Sequence, residues 1–133
     1  MLSEKKIKLL KHVFSKFKDI KATYLFGSHA EDRENKYSDL DIGLVLNDGY
    51  NPVLKLDILT KLTENNFENI DIVILNQANP LIKYEVIKNN KLIYKQDSFD
   101  ASSYYSLVVR TFLDFRSYLD VQRHYLKERI LNG

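Results

Sequence analysis

The chain has 133 residues, 44% of them apolar and 29% charged, with a formal net charge of +2. That suits one globular domain with a single substantial core, and the charge is too small and too dispersed to point to nucleic acid. No apolar run approaches the roughly 20 residues needed to cross a bilayer; the absence of cysteine excludes disulfides and thiolate metal sites, and with no apolar signal core behind Met1-Leu2-Ser3 it predicts a cytoplasmic protein.

In chain order, Ser3 is placed to cap a first helix running to about Asp19. Ile7, Leu10, Val13, Phe14 and Phe17 recur at helical spacing, while Lys5, Lys8, Lys11 and Lys16 take the other face. Ala22 to Phe26 reads as a buried strand, and Leu40 to Leu46 as a second, ended by the turn signal Asn47-Asp48-Gly49. Asn51-Pro52 opens a helix, with Asn as cap and Pro in the first helical position, and Val53, Leu56, Leu59 and Leu62 are its expected apolar stripe. Asn69 to Leu75 is a third strand whose one charged member is Asp71. Asn79-Pro80 repeats the cap-plus-proline start for a short helix to about Lys88, Asn89-Asn90 ends it with a left-handed turn, and Lys91 to Lys95 is an edge strand.

Asp100 then caps a helix expected over about 100–131. Val108, Phe112, Phe115, Leu119, Leu126 and Ile130 form one stripe, widened by Tyr104, Tyr105, Tyr118 and Tyr125. At roughly 30 residues it is long beside the usual 11 to 12. The order of elements predicts an α/β fold, a small mixed sheet with helices on one side, in a single domain spanning 1–133 with its core in about 1–96. The length of the last helix, and its aromatic and Arg content (Arg110, Arg116, Arg123), predict that about Tyr118 to Ile130 lies at an interface with another protein.

One stretch carries chemistry. Gly27-Ser28 ends the first strand, ten residues follow, and Asp39-Leu40-Asp41 opens the second. Residues two apart in a strand share a face, so the two carboxylates project together at the strand mouth, beside the amides of the Gly-Ser turn. Carboxylates hold hard divalent cations and amides cradle phosphate oxygens, so the pattern suits metal-assisted phosphoryl chemistry. The competing reading is a pair of exposed carboxylates after a turn. Asp71 is the candidate third carboxylate, because a charge inside Ile70-Asp71-Ile72-Val73-Ile74 is costly unless paired or metal-bound; otherwise it starts its strand at a wet edge. His12 and His124 have no metal-ligand partners at useful spacing and read as surface or core-edge residues.

Gly-Ser, ten residues, Asp-x-Asp resembles the signature of the DNA polymerase β-type nucleotidyltransferases. The short chain, the run Ile70 to Tyr94 and the long last helix are similar to the minimal nucleotidyltransferases and, within them, to MntA-type antitoxins that accompany HEPN-domain toxins in type VII toxin–antitoxin pairs. The resemblance implies a nucleotidyltransferase fold, ATP as substrate and two Mg²⁺ ions. It implies that Asp39 and Asp41 bind the metals, that Asp71 helps hold the catalytic one and activates the acceptor hydroxyl, and that Gly27 and Ser28 bind the triphosphate. It also implies an acceptor tyrosine on a cognate HEPN ribonuclease toxin, silenced by the transfer of AMP.

The loop departs from the family pattern. Where many relatives read Gly-Ser-Arg-Ala-Arg-Gly, this chain has Gly27-Ser28-His29-Ala30-Glu31-Asp32-Arg33, with His29 and Glu31 at the two basic positions. A second reading follows from it, an antitoxin of weak catalytic power that blocks its toxin by contact. A third, transfer to a small molecule, fits less well, since relatives with that activity usually carry a further substrate-binding domain.

Overall fold

A computed structural model of the chain describes residues 2–27 and 40–132. Eight regular elements follow one another: α1 (Glu4–Ser15), β1 (Ile20–Phe26), β2 (Leu40–Leu46), α2 (Leu54–Glu64), β3 (Ile70–Ile74), α3 (Pro80–Ile87), β4 (Lys91–Lys95) and α4 (Ala101–Asn132). A single 3-10 turn, Leu75–Gln77, joins β3 to α3.

The strands form one mixed sheet in the order β3-β2-β1-β4. β1 is antiparallel to both neighbours, β2 and β4, while β2 and β3 are parallel. A parallel pair needs a crossover, and α2 supplies it. β4 is an edge strand, as its short, Lys-flanked sequence predicts.

Helices cover both faces of the sheet rather than the one expected. On one face Leu10, Val13 and Phe14 of α1 and Leu54, Ile58 and Leu62 of α2 pack with Ile42 and Leu44. On the other, Val86 and Ile87 of α3 and Val108 of α4 pack with Ala22, Tyr24 and Val45. Ile42 and Leu44 alternate with Gly43 and Val45 along one strand, so the two cores lie back to back across the sheet. The sequence hides this because β1 and β2 are apolar on both faces, buried at nearly every position.

Several boundaries shift for local reasons. Ser3 caps α1 as expected, its hydroxyl accepting the Lys6 N–H at 3.2 Å, but the helix stops at Ser15 and Phe17 closes a turn before β1. Asn51 does not cap α2 directly: its side chain accepts the Val53 N–H at 2.9 Å in a turn, and the helix begins at Leu54. The buried stripe of α2 is Leu54, Ile58 and Leu62, whereas Val53 and Leu56 are 52% and 63% exposed. Both stripes have helical spacing; the later start selects the second. α3 is capped by Asn79, whose side chain accepts the Ile82 N–H at 2.9 Å, and Asn90 supplies the left-handed residue (φ 52°) before β4. Asp100 caps α4 through the Ser103 N–H and hydroxyl, which holds its carboxyl below the usual range.

Gly43 seats α3. A Cβ there would overlap Cγ1 of Val86 and sit 3.6 Å from Cδ1 of Leu75. Gly43→Val should therefore push α3 off the sheet, with a loss of about 1–3 kcal/mol in denaturant unfolding; an unchanged midpoint would mean α3 does not rest on β2 there. The amide of Asn76 fastens the opposite end of β2, bonding both the N–H (2.9 Å) and the C=O (2.8 Å) of Leu46.

The Tyr24 hydroxyl is fully buried beneath Tyr104, with no hydrogen-bond partner among the described residues, and burial raises its pKa to about 12. An unmet buried hydroxyl costs stability. Tyr24→Phe is expected to leave the melting temperature unchanged or raise it, and a loss beyond about 1 kcal/mol would show a partner for that hydroxyl.

Candidate active site

The carboxylate end of the sheet is built by register. Phe26 of β1 stands opposite Asp41 of β2, and Asp41 stands opposite Asp71 of β3. Residues paired across neighbouring strands share a face, so Phe26, Asp41 and Asp71 form one row at strand spacing, about 4.8 Å between successive strands. The row lies on the face covered by α3 and α4, because Ile42 and Ile72 point into the opposite core. The seat of α3 at Gly43 is one same-face step inward. The row therefore lies beyond the cover of α3: Asp41 is half-buried and Asp71 exposed.

The exposure of Asp71 decides one expectation. It is not a buried charge inside its strand; it stands at the wet end, and Ile72 beside it is 4% exposed. Its proximity to Asp41, not its burial, is what marks it. Two carboxylates held side by side repel each other, an arrangement that a divalent cation relieves.

Gly27 completes the described part of the site. It follows β1 directly and has φ +70°, a conformation open to glycine and strained for other residues. A Cβ at this position would overlap Oδ2 of Asp41 and lie 3.1 Å from its Cγ. The Asp41 carboxylate thus rests directly on the glycine Cα, and the missing side chain is the space in which that carboxylate sits. Sequence reasoning assigned Gly27 to phosphate approach; its first contact is with the carboxylate.

Ser28, Asp39 and the loop residues His29, Glu31, Asp32 and Arg33 lie outside the described residues. Among the described residues no group of three or more His, Cys, Asp or Glu forms a metal-ligand cluster. The chemistry of the donors fits Mg²⁺ all the same: hard carboxylate oxygens on adjacent strands, with a glycine that has no side chain packed against one of them. His12 and His124 are exposed and distant in chain and element from this row, and His124 Nε2 instead lies 3.1 Å from Glu128 Oε1. Sequence reasoning missed Gly43 and Phe26, the residues that set where the cover stops and what flanks Asp41. Their only signals were a glycine in an apolar strand and an aromatic before a Gly-Ser turn.

The sequence matches the family described as polymerase beta, nucleotidyltransferase over residues 8–99, which holds the last two thirds of α1, the whole sheet and the carboxylate row. The chain belongs to this family. Protein adenylyltransferase MntA of Shewanella oneidensis is 29% identical over 94 residues, covering 70% of this chain and 66% of that protein, just under two thirds of its length. Among solved structures, a chain in a crystal structure of a toxin–antitoxin with AMP-PNP superposes with a TM-score of 0.68 at 20% identity, covering 98% of this chain and 99% of that one. A chain in a structure of tri-AMPylated Shewanella oneidensis HEPN toxin in complex with MNT antitoxin gives 0.60 at 18% identity, over 94% and 98%. These likenesses extend the nucleotidyltransferase fold through α4, beyond the matched family segment. No helix among the described residues is long and apolar enough to cross a membrane.

Proposed function

We propose that the chain is a cytoplasmic antitoxin that transfers AMP from ATP to a hydroxyl of a cognate HEPN ribonuclease toxin, a tyrosine hydroxyl by preference, and so silences it. The observation that carries the reading is the pairing of Asp41 with Asp71 on adjacent strands, with Gly27 packed on the Asp41 carboxylate. Family membership supports the reaction type. The adenylyltransferase relative and the two toxin–antitoxin structures support the acceptor.

In this account Asp39, Asp41 and Asp71 hold two Mg²⁺ ions, which when bound neutralise charge on the triphosphate and align the attacking and leaving oxygens. The backbone of Gly27 and Ser28 donates to the phosphate oxygens and fixes the triphosphate against β2. The exposed Asp71 faces the acceptor and takes the proton of its hydroxyl. That oxygen then bonds to the α-phosphorus while the bond from the α-phosphorus to the oxygen bridging to the β-phosphate breaks, and pyrophosphate leaves with that oxygen. Catalysis consists mainly of positioning and charge, as in other phosphoryl transfers.

The second reading is silencing by contact alone. It is favoured by Glu31, an acidic residue where relatives carry a basic one near the phosphates. The two readings part in a growth assay in which the toxin is expressed with the chain or with its Asp41→Ala variant. Loss of protection by a folded variant that still binds the toxin supports transfer. Full protection by that variant supports contact.

A further inference from the structure

α4 runs for 32 residues, about 48 Å at 1.5 Å per residue, whereas some 30 Å spans a small domain. Its first half is anchored. Val108 is buried, Tyr104 stacks on Tyr24, and Phe112 stacks on Tyr84 of α3 with ring centroids 4.0 Å apart. Beyond Leu119 every residue from Asp120 to Leu131 is exposed. The apolar stripe nevertheless continues. Phe112, Phe115, Leu119, Leu126 and Ile130 follow one another at intervals of three, four, seven and four, which keeps them on one helix face. Leu126 and Ile130 are 59% and 73% exposed, and Tyr118 and Tyr125 beside them 57% and 59%. The seam that binds the first half to its own domain thus runs on uncovered through the second. An isolated helix of this length draws most of its stability from a packed apolar face, which the described residues do not supply to its second half.

The charges say what kind of surface covers it. Arg116 and Arg123 border the seam one position after Phe115 and Gln122, and Lys127 extends the same edge, where Asp120 is the one carboxylate among three cations. A second copy is a poor occupant. Antiparallel pairing of two such seams sets the Arg116 and Arg123 edges against each other, and parallel pairing sets Arg129, in register with Phe115 and Gln122, against its own copy. Carboxylates on a partner's edges would instead meet these cations.

We propose that the distal half of α4, residues 115–131, is a docking helix, and that its occupant is a helical surface of the toxin with an apolar seam edged by Asp or Glu. This rests on the toxin reading above and adds the surface and the chemistry by which the two proteins meet. Docking through an arm separate from the carboxylate row leaves the site free to reach the acceptor while the partner stays bound.

The test measures affinity of the full chain for the HEPN toxin by calorimetry at low and high salt, with Leu126→Asp and the double variant Arg116→Glu/Arg123→Glu. Mg-ATP affinity and helical circular dichroism are followed in parallel. Leu126→Asp is expected to weaken association at least about a hundredfold, as for a buried anchor. The double charge reversal is expected to weaken it about tenfold or more at low salt and to flatten its salt dependence. Both should leave Mg-ATP binding and the melting temperature near those of the parent, because these side chains touch nothing in the isolated protein's cores. Parent-like affinity in both variants overturns the docking assignment while the toxin reading stands. A parent that sediments as a dimer dispersed by Leu126→Asp assigns the face to a second copy and overturns the proposed occupant. A parent that neither binds nor modifies the toxin removes the toxin reading, and this inference with it.

Discussion

Asp41→Ala should reduce AMP transfer by at least roughly a hundredfold, the scale of losing a principal electrostatic element, in a protein that stays folded. The backbone at Asp41 is held from both sides, opposite Phe26 of β1 and Asp71 of β3, and that pairing does not depend on the side chain. Asp71→Ala should have a comparable effect on transfer. The double variant should be little worse than either single one, because groups acting as a unit lose their joint function once. Transfer measured with labelled ATP and Mg²⁺, alongside a melting curve, checks all three. Near-parent transfer in the folded double variant would remove the carboxylate row from the reaction.

Gly27 carries the second large effect. Phosphate approach alone would let a small side chain at this position cost little and a branched one cost much. The packing of Gly27 against Asp41 gives a sharper expectation. Even Gly27→Ala displaces Oδ2 of Asp41, since the Cβ itself occupies that space, and it adds the strain of a left-handed backbone, about 1–2 kcal/mol. Gly27→Ala and Gly27→Val should both weaken Mg-ATP binding, by about tenfold or more if one charge-assisted contact is lost. Both should leave toxin association through α4 unaffected. Calorimetry showing parent-like Mg-ATP affinity in folded Gly27→Ala would mean that Asp41 has room to move and that the glycine serves only the turn.

The sheet and most element boundaries were legible because their signals are local. Asn79-Pro80 sets a helix start, Asn89-Asn90 a helix end, and the apolar runs around them have strand length. Asp41 and Asp71 were legible as residue types, and the family resemblance gave them roles. Their neighbourhood is not a local property: the register that brings them together depends on α2 returning β3 parallel to β2. The same limit explains the misses. The stripe of α2 was right at its end, where Leu62 is buried and Leu59 packs on the core, and wrong at its start, because Val53-Leu54 offers two starts and only tertiary packing selects Leu54 and Ile58 over Val53 and Leu56. Helices were expected on one side because strands apolar on both faces do not say which face a given helix covers. Gly43 reads in isolation as a weak strand position; its purpose appears only once Val86 is above it. The end of α4 shows the converse, a stripe legible as apolar that no described residue covers.

The central claim is that this chain modifies a HEPN toxin covalently with AMP. Intact-mass spectrometry of the toxin after incubation with the chain, ATP and Mg²⁺ tests it most directly. The account predicts a toxin heavier by one or more adenylyl groups on tyrosine, with ribonuclease activity lost in step, and an unchanged mass when Asp41→Ala replaces the parent. A toxin that is silenced at unchanged mass, equally by the parent and by Asp41→Ala, would contradict it.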